Sequence, residues 1–199
     1  MLSKSFRSPA PAPSAVGDLV IARLNARAQL LDRGEVFEDP LSDILQARGL
    51  GEVTGGGTML GEEGEIAFCD LEIMVPAATD AVLGAIREAL EGLGAPKGSR
   101  LIWDDGANAL EFGTFEGLAV YLNGTDLPDS VYEQSDASFV YEEFGRLVGS
   151  EGRVVSTWDG PRETALYLYG RSAKAMLARI RPFLDVYPLC DKARIVTIT

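Results

Sequence analysis

The sequence contains an internal repeat, and this feature constrains the fold more than any other. Leu24-Asn25, near the end of a first apolar run, recurs as Leu122-Asn123 near the end of another. Leu50-Gly51 is echoed at the same offset by Val148-Gly149. Around these anchors each half of the chain has the same order of elements, which is strand, helix, strand, strand, helix, strand. A duplicated βαββαβ unit is the ferredoxin-like pattern.

The repeat therefore predicts an α+β fold of two tandem ferredoxin-like units with antiparallel sheets, associated into one compact body. The chain has 199 residues, which fits two units of about 100 residues each. We expect a first unit over residues 17–106 and a second over residues 107–199. Residues 1–16 are rich in proline, which joins neither helix interiors nor strand ladders, and they predict a disordered arm. Since this fold hosts many unrelated activities, it predicts no function by itself.

The charge of the chain argues against nucleic-acid binding. It has 30 acidic and 18 basic residues, and its net charge is −12. An acidic surface repels phosphate backbones but speeds the encounter with a basic partner. The simplest alternative is that the charge only keeps the protein in solution.

The chain has no histidine, and this absence excludes whole classes of chemistry. Neither a Ser-His-Asp nor a Cys-His nucleophile system is possible, and no imidazole can act as an acid or base. Cys69 and Cys190 are the only cysteines, which are too few for a structural zinc site. We therefore predict no catalytic residues, no metal and no cofactor. No apolar run approaches the ~20 residues of a membrane span, and no secretory signal is recognisable, so we expect a cytoplasmic protein.

The alternation of side chains along the predicted strands indicates what lies on the free face of each sheet. In a ferredoxin-like unit both helices cover one face and leave the other open. Aromatic side chains occupy the open face in both halves, and tyrosine and tryptophan are enriched at interfaces. We predict that a protein partner contacts Phe68, Tyr121, Tyr167, Tyr169 and Trp158. The alternative is that these faces pack together, edge-to-edge or face-to-face, or form a homodimer.

A second set of residues indicates a small-molecule site instead. Consecutive glycines bring backbone N–H groups close to a ligand, and two carboxylates two apart on a strand share one face. The predicted ligand-binding residues are Gly55, Gly56, Gly57, Thr58, Asp70, Glu72, Arg23 and Arg27. The alternatives are a β-bulge at the glycines and a solvated or arginine-paired face at the carboxylates.

Two long connections occupy equivalent positions in the repeat. One runs from Arg27 to the helix start that Asp39-Pro40 indicates, and the other runs from Asn123 to Ser138. Loops of this length are often functional, so both are candidates for binding.

Three segments carry a resemblance to a known family. Residues 24–27 (LNAR), 51–58 (GEVTGGGT) and 65–73 (EIAFCDLEI) resemble those of a family of uncharacterised bacterial proteins. The resemblance implies a bacterial source and the duplicated ferredoxin-like fold, and it brings no catalytic residues with it. By analogy, small acidic α/β proteins of this kind are often immunity or regulatory partners.

Two functional hypotheses follow from the sequence. The first is a non-enzymatic, acidic binding protein that engages a protein partner, preferentially a basic one, through the open sheet face and the long loops. The second is a small-molecule binding protein or enzyme with a site in the cleft between the two units.

Overall fold

The first unit is built on a five-stranded antiparallel sheet. The computed structural model describes residues 17–198, so the predicted arm lies outside the described residues. The strands lie in the order β2-β3-β1-β4-β5. Their bounds are β1 Asp18–Leu24, β2 Glu52–Leu60, β3 Ile66–Val75, β4 Ser99–Trp103 and β5 Asn108–Phe112.

The second unit is built on a four-stranded antiparallel sheet in the order β7-β8-β6-β9. In both units the first strand pairs with the third and the fourth, and the second pairs with the third. This is the ferredoxin-like strand order, and the predicted α+β fold is confirmed. The bounds are β6 Glu116–Asn123, β7 Gly152–Asp159, β8 Glu163–Gly170 and β9 Arg194–Ile198.

Four helices of ten residues or more pack on the sheets of the described chain, and three of them, α3, α5 and α6, begin after a side chain that caps the first turn. The Thr79 hydroxyl accepts from the Val82 N–H at 3.4 Å, and the Ser172 hydroxyl accepts from the Ala175 N–H at 3.2 Å. Apolar stripes on these helices fill the core of each unit. Their bounds are α2 Asp39–Arg48, α3 Asp80–Gly92, α5 Ala137–Val148 and α6 Ala173–Leu184, and two short helices, α1 Leu30–Arg33 and α4 Asp129–Gln134, lie in the long connections.

The helix α2 begins at Asp39, as Asp39-Pro40 predicts, but the segment before it is also helical. Helical backbone begins at Leu30, and a π-helical stretch, Gly34–Glu38, leads into α2. Phe37 in this stretch is only 1% exposed. The burial of Phe37 holds this segment in helical form. The sequence predicts a loop there, because the helix start signal, Asp39-Pro40, comes after it.

Strand alternation in β3 holds from Cys69 onward and breaks at the start of the strand. Cys69, Leu71 and Ile73 are fully buried on the helix side of β3. Continued alternation would place Ala67 on the same side, but Ala67 is exposed and its neighbour Ile66 is buried. The register between β2 and β3 shifts just before it, since Met59 pairs with Phe68 but Leu60 pairs with Ile66. The bulge turns this end of β3 away from the core.

The two units associate into one compact body, as the sequence predicts. The sheets are not joined edge-to-edge, and the end of the first sheet, at Leu24 and Cys69, shares one hydrophobic core with the tyrosines on the open face of the second. The chain that leaves β1, residues 25–32, covers that face, and we call it the junction segment. Its Arg27 N–H donates to the Tyr169 hydroxyl at 2.8 Å, and its Gln29 N–H donates to the Ser156 hydroxyl at 3.0 Å.

The division of the chain into residues 17–106 and 107–199 stays a prediction. Immediately after the proposed boundary, β5 returns to pair with β4 and extends the first sheet. Among the helices of residues 17–198, none combines the length and the apolar character that crossing a membrane requires.

Candidate functional site

The structure distributes the residues singled out from the sequence over three places. Gly55–Thr58 lie in β2 at the edge of the first sheet, and Phe68, Asp70, Glu72 and Arg23 lie on its open face. The remaining residues, Arg27, Tyr121, Tyr167, Tyr169 and Trp158, lie at the junction of the two units.

The glycine run in β2 makes room for a buried arginine. Arg33 is 4% exposed, its Nε donates to Glu38 at 2.5 Å, and its Nη1 donates to the Thr58 hydroxyl at 2.7 Å. A Cβ at Gly56 would lie 2.4 Å from the Glu38 carboxylate and 2.7 Å from the Asp70 carbonyl oxygen. A side chain at position 56 is therefore incompatible with this ion pair.

The register of β2 shifts between Val53 and Gly55, as the bulge alternative predicts. Gly55–Thr58 do not line the surface cavity that lies at the junction of the two units. Ligand binding by this stretch therefore stays a prediction.

The carboxylates on the open face of the first sheet differ in their pairing. Asp70 accepts two hydrogen bonds from Arg23, both at 2.9 Å, and the hydrogen bond to Asp70 raises the pKa of Arg23. The same guanidinium lies 4.3 Å from the centre of the Phe68 ring. Glu72, across from Gly55, is exposed. The arginine-paired alternative thus holds for Asp70, and Glu72 is the freer carboxylate.

Apolar side chains surround this ion pair. Leu19 is 43% exposed and Met59 is 51% exposed. Among the described residues nothing covers these side chains, and we call this surface the first open face. Its half-buried apolar members are Ile21, Phe68, Met74 and Ile102.

The tyrosines of the second sheet are not on a free surface, which corrects their assignment as partner-contacting residues. Tyr121, Tyr167 and Tyr169 are at most 2% exposed, and Trp158 is 8% exposed. They are buried because the junction segment and the end of the first sheet lie on them. The structure agrees with the alternative prediction, in which packing within the protein buries the tyrosines.

A single carboxylate organises this junction. Glu65 Oε1 accepts from the Tyr121 hydroxyl at 2.6 Å and from the Tyr167 hydroxyl at 2.7 Å, and it is ion-paired with Arg27. Arg27 Nη1 also donates to the Tyr121 hydroxyl at 2.5 Å. We call these four residues the junction cluster. Arg27 thus acts inside the fold and is engaged by the second unit.

The environment of the junction cluster keeps Glu65 ionised. Burial raises the pKa of the carboxyl, but the hydrogen bonds from Tyr121 and Tyr167 and the charge of Arg27 outweigh it, so the pKa lies below its ordinary value. Burial, followed by the bond to Glu65, raises the pKa of both phenols. The phenols therefore stay protonated and donate to a charged acceptor, which strengthens both bonds.

A surface cavity of about 270 Å³ opens beside this junction. The first unit contributes Glu63, and the β7–β8 turn contributes Arg162. The sequence did not single out these residues, although the long connection after Asn123 borders the cavity. Its full lining is Glu63, Asn123, Thr125, Asp126, Trp158, Arg162 and Glu163.

Both cysteines are free, buried thiols. Burial raises the pKa of Cys69 to about 12 and that of Cys190 to about 11, which keeps both protonated. Among the side chains that the structure describes, no three of Cys, Asp or Glu are grouped so as to hold a metal ion.

Comparison with known proteins places the chain in no family. It matches no protein-family model, and no curated protein is similar to it in sequence. The resemblance to a bacterial family therefore stays a prediction.

Solved structures share only distant similarity with this chain. One is TiaS, in a complex with a tRNA, AMPCPP and agmatine, which is 9% identical to this chain with a TM-score of 0.33. The alignment covers 91% of this chain but only 59% of TiaS, which is less than two thirds of its length. The regulatory subunit of aspartate kinase from Thermus flavus is 14% identical, with a TM-score of 0.27 over 83% of this chain and 92% of its own. A heme-binding protein from Thermus thermophilus is 16% identical, with a TM-score of 0.27 over 90% and 88%. At these values the similarities say nothing about ligand or activity here.

Alanine substitutions at the adjacent positions Gly56 and Gly57 should have different effects on the free energy of unfolding. Gly56→Ala is expected to lower the free energy of unfolding by about 1–3 kcal/mol, because the added methyl overlaps backbone and a buried ion pair. Gly57→Ala is the matched comparison, since its Cβ would meet nothing within 4 Å, and we expect no loss and a gain of up to about 1 kcal/mol, because glycine costs more than alanine in a strand. Urea denaturation of both variants measures the difference, and equal stabilities would contradict the assignment.

The junction cluster predicts a stability that depends on pH. Since the pKa of Glu65 is lowered on folding, its contribution is complete above the unfolded value of about 4.3 and is lost as pH falls below it. Glu65→Gln is expected to cost about 2 kcal/mol at neutral pH.

The measurement is denaturation of the wild type and Glu65→Gln at pH 7, 5 and 3.5. The difference in unfolding free energy should be equal at pH 7 and 5 and smaller at pH 3.5. Glu111→Gln is the control, because Glu111 forms an ion pair with Arg100 but is 74% exposed, and we expect a change of at most about 0.5 kcal/mol. A Glu65→Gln difference that persists unchanged at pH 3.5 would show that the charge is not its source.

Proposed function

We propose that the protein acts by binding, and that its partner is a basic protein that docks on the first open face. The observation that carries this proposal is the contrast between two equivalent sheet faces in one chain. The second sheet's face is covered by the chain itself, whereas the first retains exposed Leu19 and Met59 beside half-buried Phe68. Apolar surface of this kind, surrounded by charge, is typical of protein interaction sites.

The charges of the first open face favour a basic partner. Its arginines are engaged, Arg23 by Asp70 and Arg100 by Glu111 at 3.0 Å. Exposed Glu72 lies on the same face, and Glu52 lies across from Met74. The free charge on the face is therefore negative, in agreement with the net charge of −12. A second copy of this chain would bring carboxylates against carboxylates, whereas basic side chains would pair with them.

Site-specific photocrosslinking tests this proposal. Leu19→p-benzoylphenylalanine places a crosslinker on the first open face, and Phe139→p-benzoylphenylalanine is the matched control on α5, since both residues are 43% exposed. In a lysate of the source organism we expect a heterologous crosslink from position 19 alone. The purified partner should bind Glu72→Lys about tenfold more weakly than wild type, a loss of about 1.4 kcal/mol.

Glu88→Lys, an exposed position on α3, should leave that affinity unchanged. Three results would refute the proposal: a crosslink only to a second copy, equal crosslinks from positions 19 and 139, or an affinity that Glu72→Lys does not alter.

A second candidate function rests on the cavity at the junction. Its lining combines the guanidinium of Arg162 with the carboxylates of Glu63 and Asp126. A cavity of about 270 Å³ with both charges suits a small molecule that carries an amino and a carboxylate group. A ligand in this cavity would lie between the two units, as the second hypothesis from the sequence predicts.

A panel of free amino acids is the probe for this second candidate. A ligand at 100 times its dissociation constant stabilises a protein by about 2.7 kcal/mol, which a thermal unfolding scan detects. The shift should disappear in Arg162→Gln and persist in Arg100→Gln. The absence of any shift, or a shift that Arg162→Gln retains, would exclude this site.

A further inference from the structure

A surface cavity of about 380 Å³ lies between α5 and the end of the β7–β8 hairpin. The hairpin lines it with its helix-facing side, since Leu166 also belongs to the core that α5 and α6 cover. The carboxylates of Glu142 and Asp159 are among its lining residues, and none of the lining residues that the structure describes is an arginine or a lysine. Small-molecule sites have volumes of roughly 300–1,000 Å³. The cavity is therefore large enough for a small molecule, and its charge favours a cation.

Strand pairing shows which part of the first unit is equivalent to this hairpin end. The repeat aligns the ends of β1 and β6, and pairing across each sheet from there aligns the edge strands β2 and β7. The partners that correspond in this way are Leu24, Cys69 and Thr58 in the first unit and Leu122, Thr164 and Asp159 in the second. At the next helix-facing position of the edge strands, Gly56 corresponds to Thr157. The cavity thus lies over the part of β7 that is equivalent to Gly56 and Thr58 in β2.

In the first unit, a buried guanidinium lies at the equivalent place. Arg33 donates from Nη1 to the Thr58 hydroxyl at 2.7 Å, and its Nε lies 3.2 Å from the position that a Cβ at Gly56 would take. Its countercharge comes from the same helical segment, because Nε donates to the Glu38 carboxylate at 2.5 Å. The first unit therefore fills the space between its helices and its edge strand with a cation of its own.

The connection of the second unit takes a different course. Its short helix α4 lies against the turn Pro188–Cys190, which contacts β6. The Tyr132 hydroxyl of α4 donates to the Asn123 carbonyl oxygen at 3.3 Å. Residues 124–136 contain no arginine or lysine, so this connection cannot supply the cation that Arg33 supplies in the first unit. At the position equivalent to Thr58, the second unit has the carboxylate of Asp159.

The difference between the two units indicates which chemistry the cavity recognises. Where the first unit has a guanidinium and one carboxylate, the second has the carboxylates of Glu142 and Asp159. A guanidinium has five N–H donors in one plane, and this geometry matches carboxylates better than an ammonium does. Tyr141 lines the same cavity and is 40% exposed, so its ring is accessible to a cation. Leu166 adds apolar surface for the rest of a ligand.

We propose that this cavity binds a small molecule that carries a guanidinium group on a short apolar chain. The guanidinium lies over β7 as that of Arg33 lies over β2, and its N–H groups donate to the two carboxylates. The apolar chain contacts Leu166. This site is separate from the first open face. It is also separate from the cavity beside Arg162, whose lining includes Trp158 on the opposite side of β7.

Isothermal titration calorimetry of the full chain with n-butylguanidine tests this inference. We expect saturable binding, and n-butylamine should bind at least about tenfold more weakly, because an ammonium does not pair with a carboxylate through two parallel N–H groups. Asp159→Asn should weaken the binding of n-butylguanidine about tenfold or more, since it removes a charged acceptor. Asp43→Asn is the matched control, because it removes the same charge from an exposed position on α2. Its affinity should equal that of the wild type.

Three results would overturn the inference. They are the absence of saturable binding at millimolar n-butylguanidine, equal affinities for the guanidine and the amine, and an affinity that Asp159→Asn leaves unchanged. Arg162→Gln should bind n-butylguanidine as the wild type does, and a loss of binding in this variant would place the ligand in the other cavity instead. None of these results bears on docking at the first open face, which the position-19 crosslink tests separately.

Discussion

The ionised carboxylate of Glu65 is the interaction on which the association of the two units depends. Tyr121 and Tyr167 bring their phenols to a surface that the first unit covers, and a buried hydroxyl without a partner is costly. Glu65 accepts from both, and Arg27 balances its charge. The rings supply buried apolar area, each worth roughly 1.5–3 kcal/mol, and the carboxylate makes that burial possible. The second sheet is therefore stabilised on both faces, by its own helices and by the first unit.

The two repeated units differ in how the open faces of their sheets are covered. The second is enclosed, whereas the first has a face without a cover among the described residues. Arg23 shields part of that face from water, because its guanidinium lies over the Phe68 ring and pairs with Asp70. A stacked arginine shields apolar surface while keeping its charge hydrated. Such a face is stable alone and still available for a partner, which a face of bare apolar residues would not be.

Features set by local sequence were predictable, and features set by distant contacts were not. The repeat predicts the strand order, and alternation predicts which side of β3 enters the core. The covering of the tyrosines depends on Arg27 and Glu65, which are far from Tyr121 in sequence, and no local pattern connects them. The need for glycine at Gly56 comes from Arg33, whose helical segment precedes the apparent helix start at Asp39-Pro40. The cavity beside Arg162 is likewise formed by three segments that are far apart in the sequence.

The first sheet offers two unoccupied surfaces whose physical requirements differ. The open face needs apolar contact and countercharge, which a folded protein surface supplies. The edge of β2 needs a row of hydrogen bonds, which only an extended backbone supplies. Gly55 and Gly57 border both surfaces, because they belong to the edge strand and their side-chain positions lie on the open face.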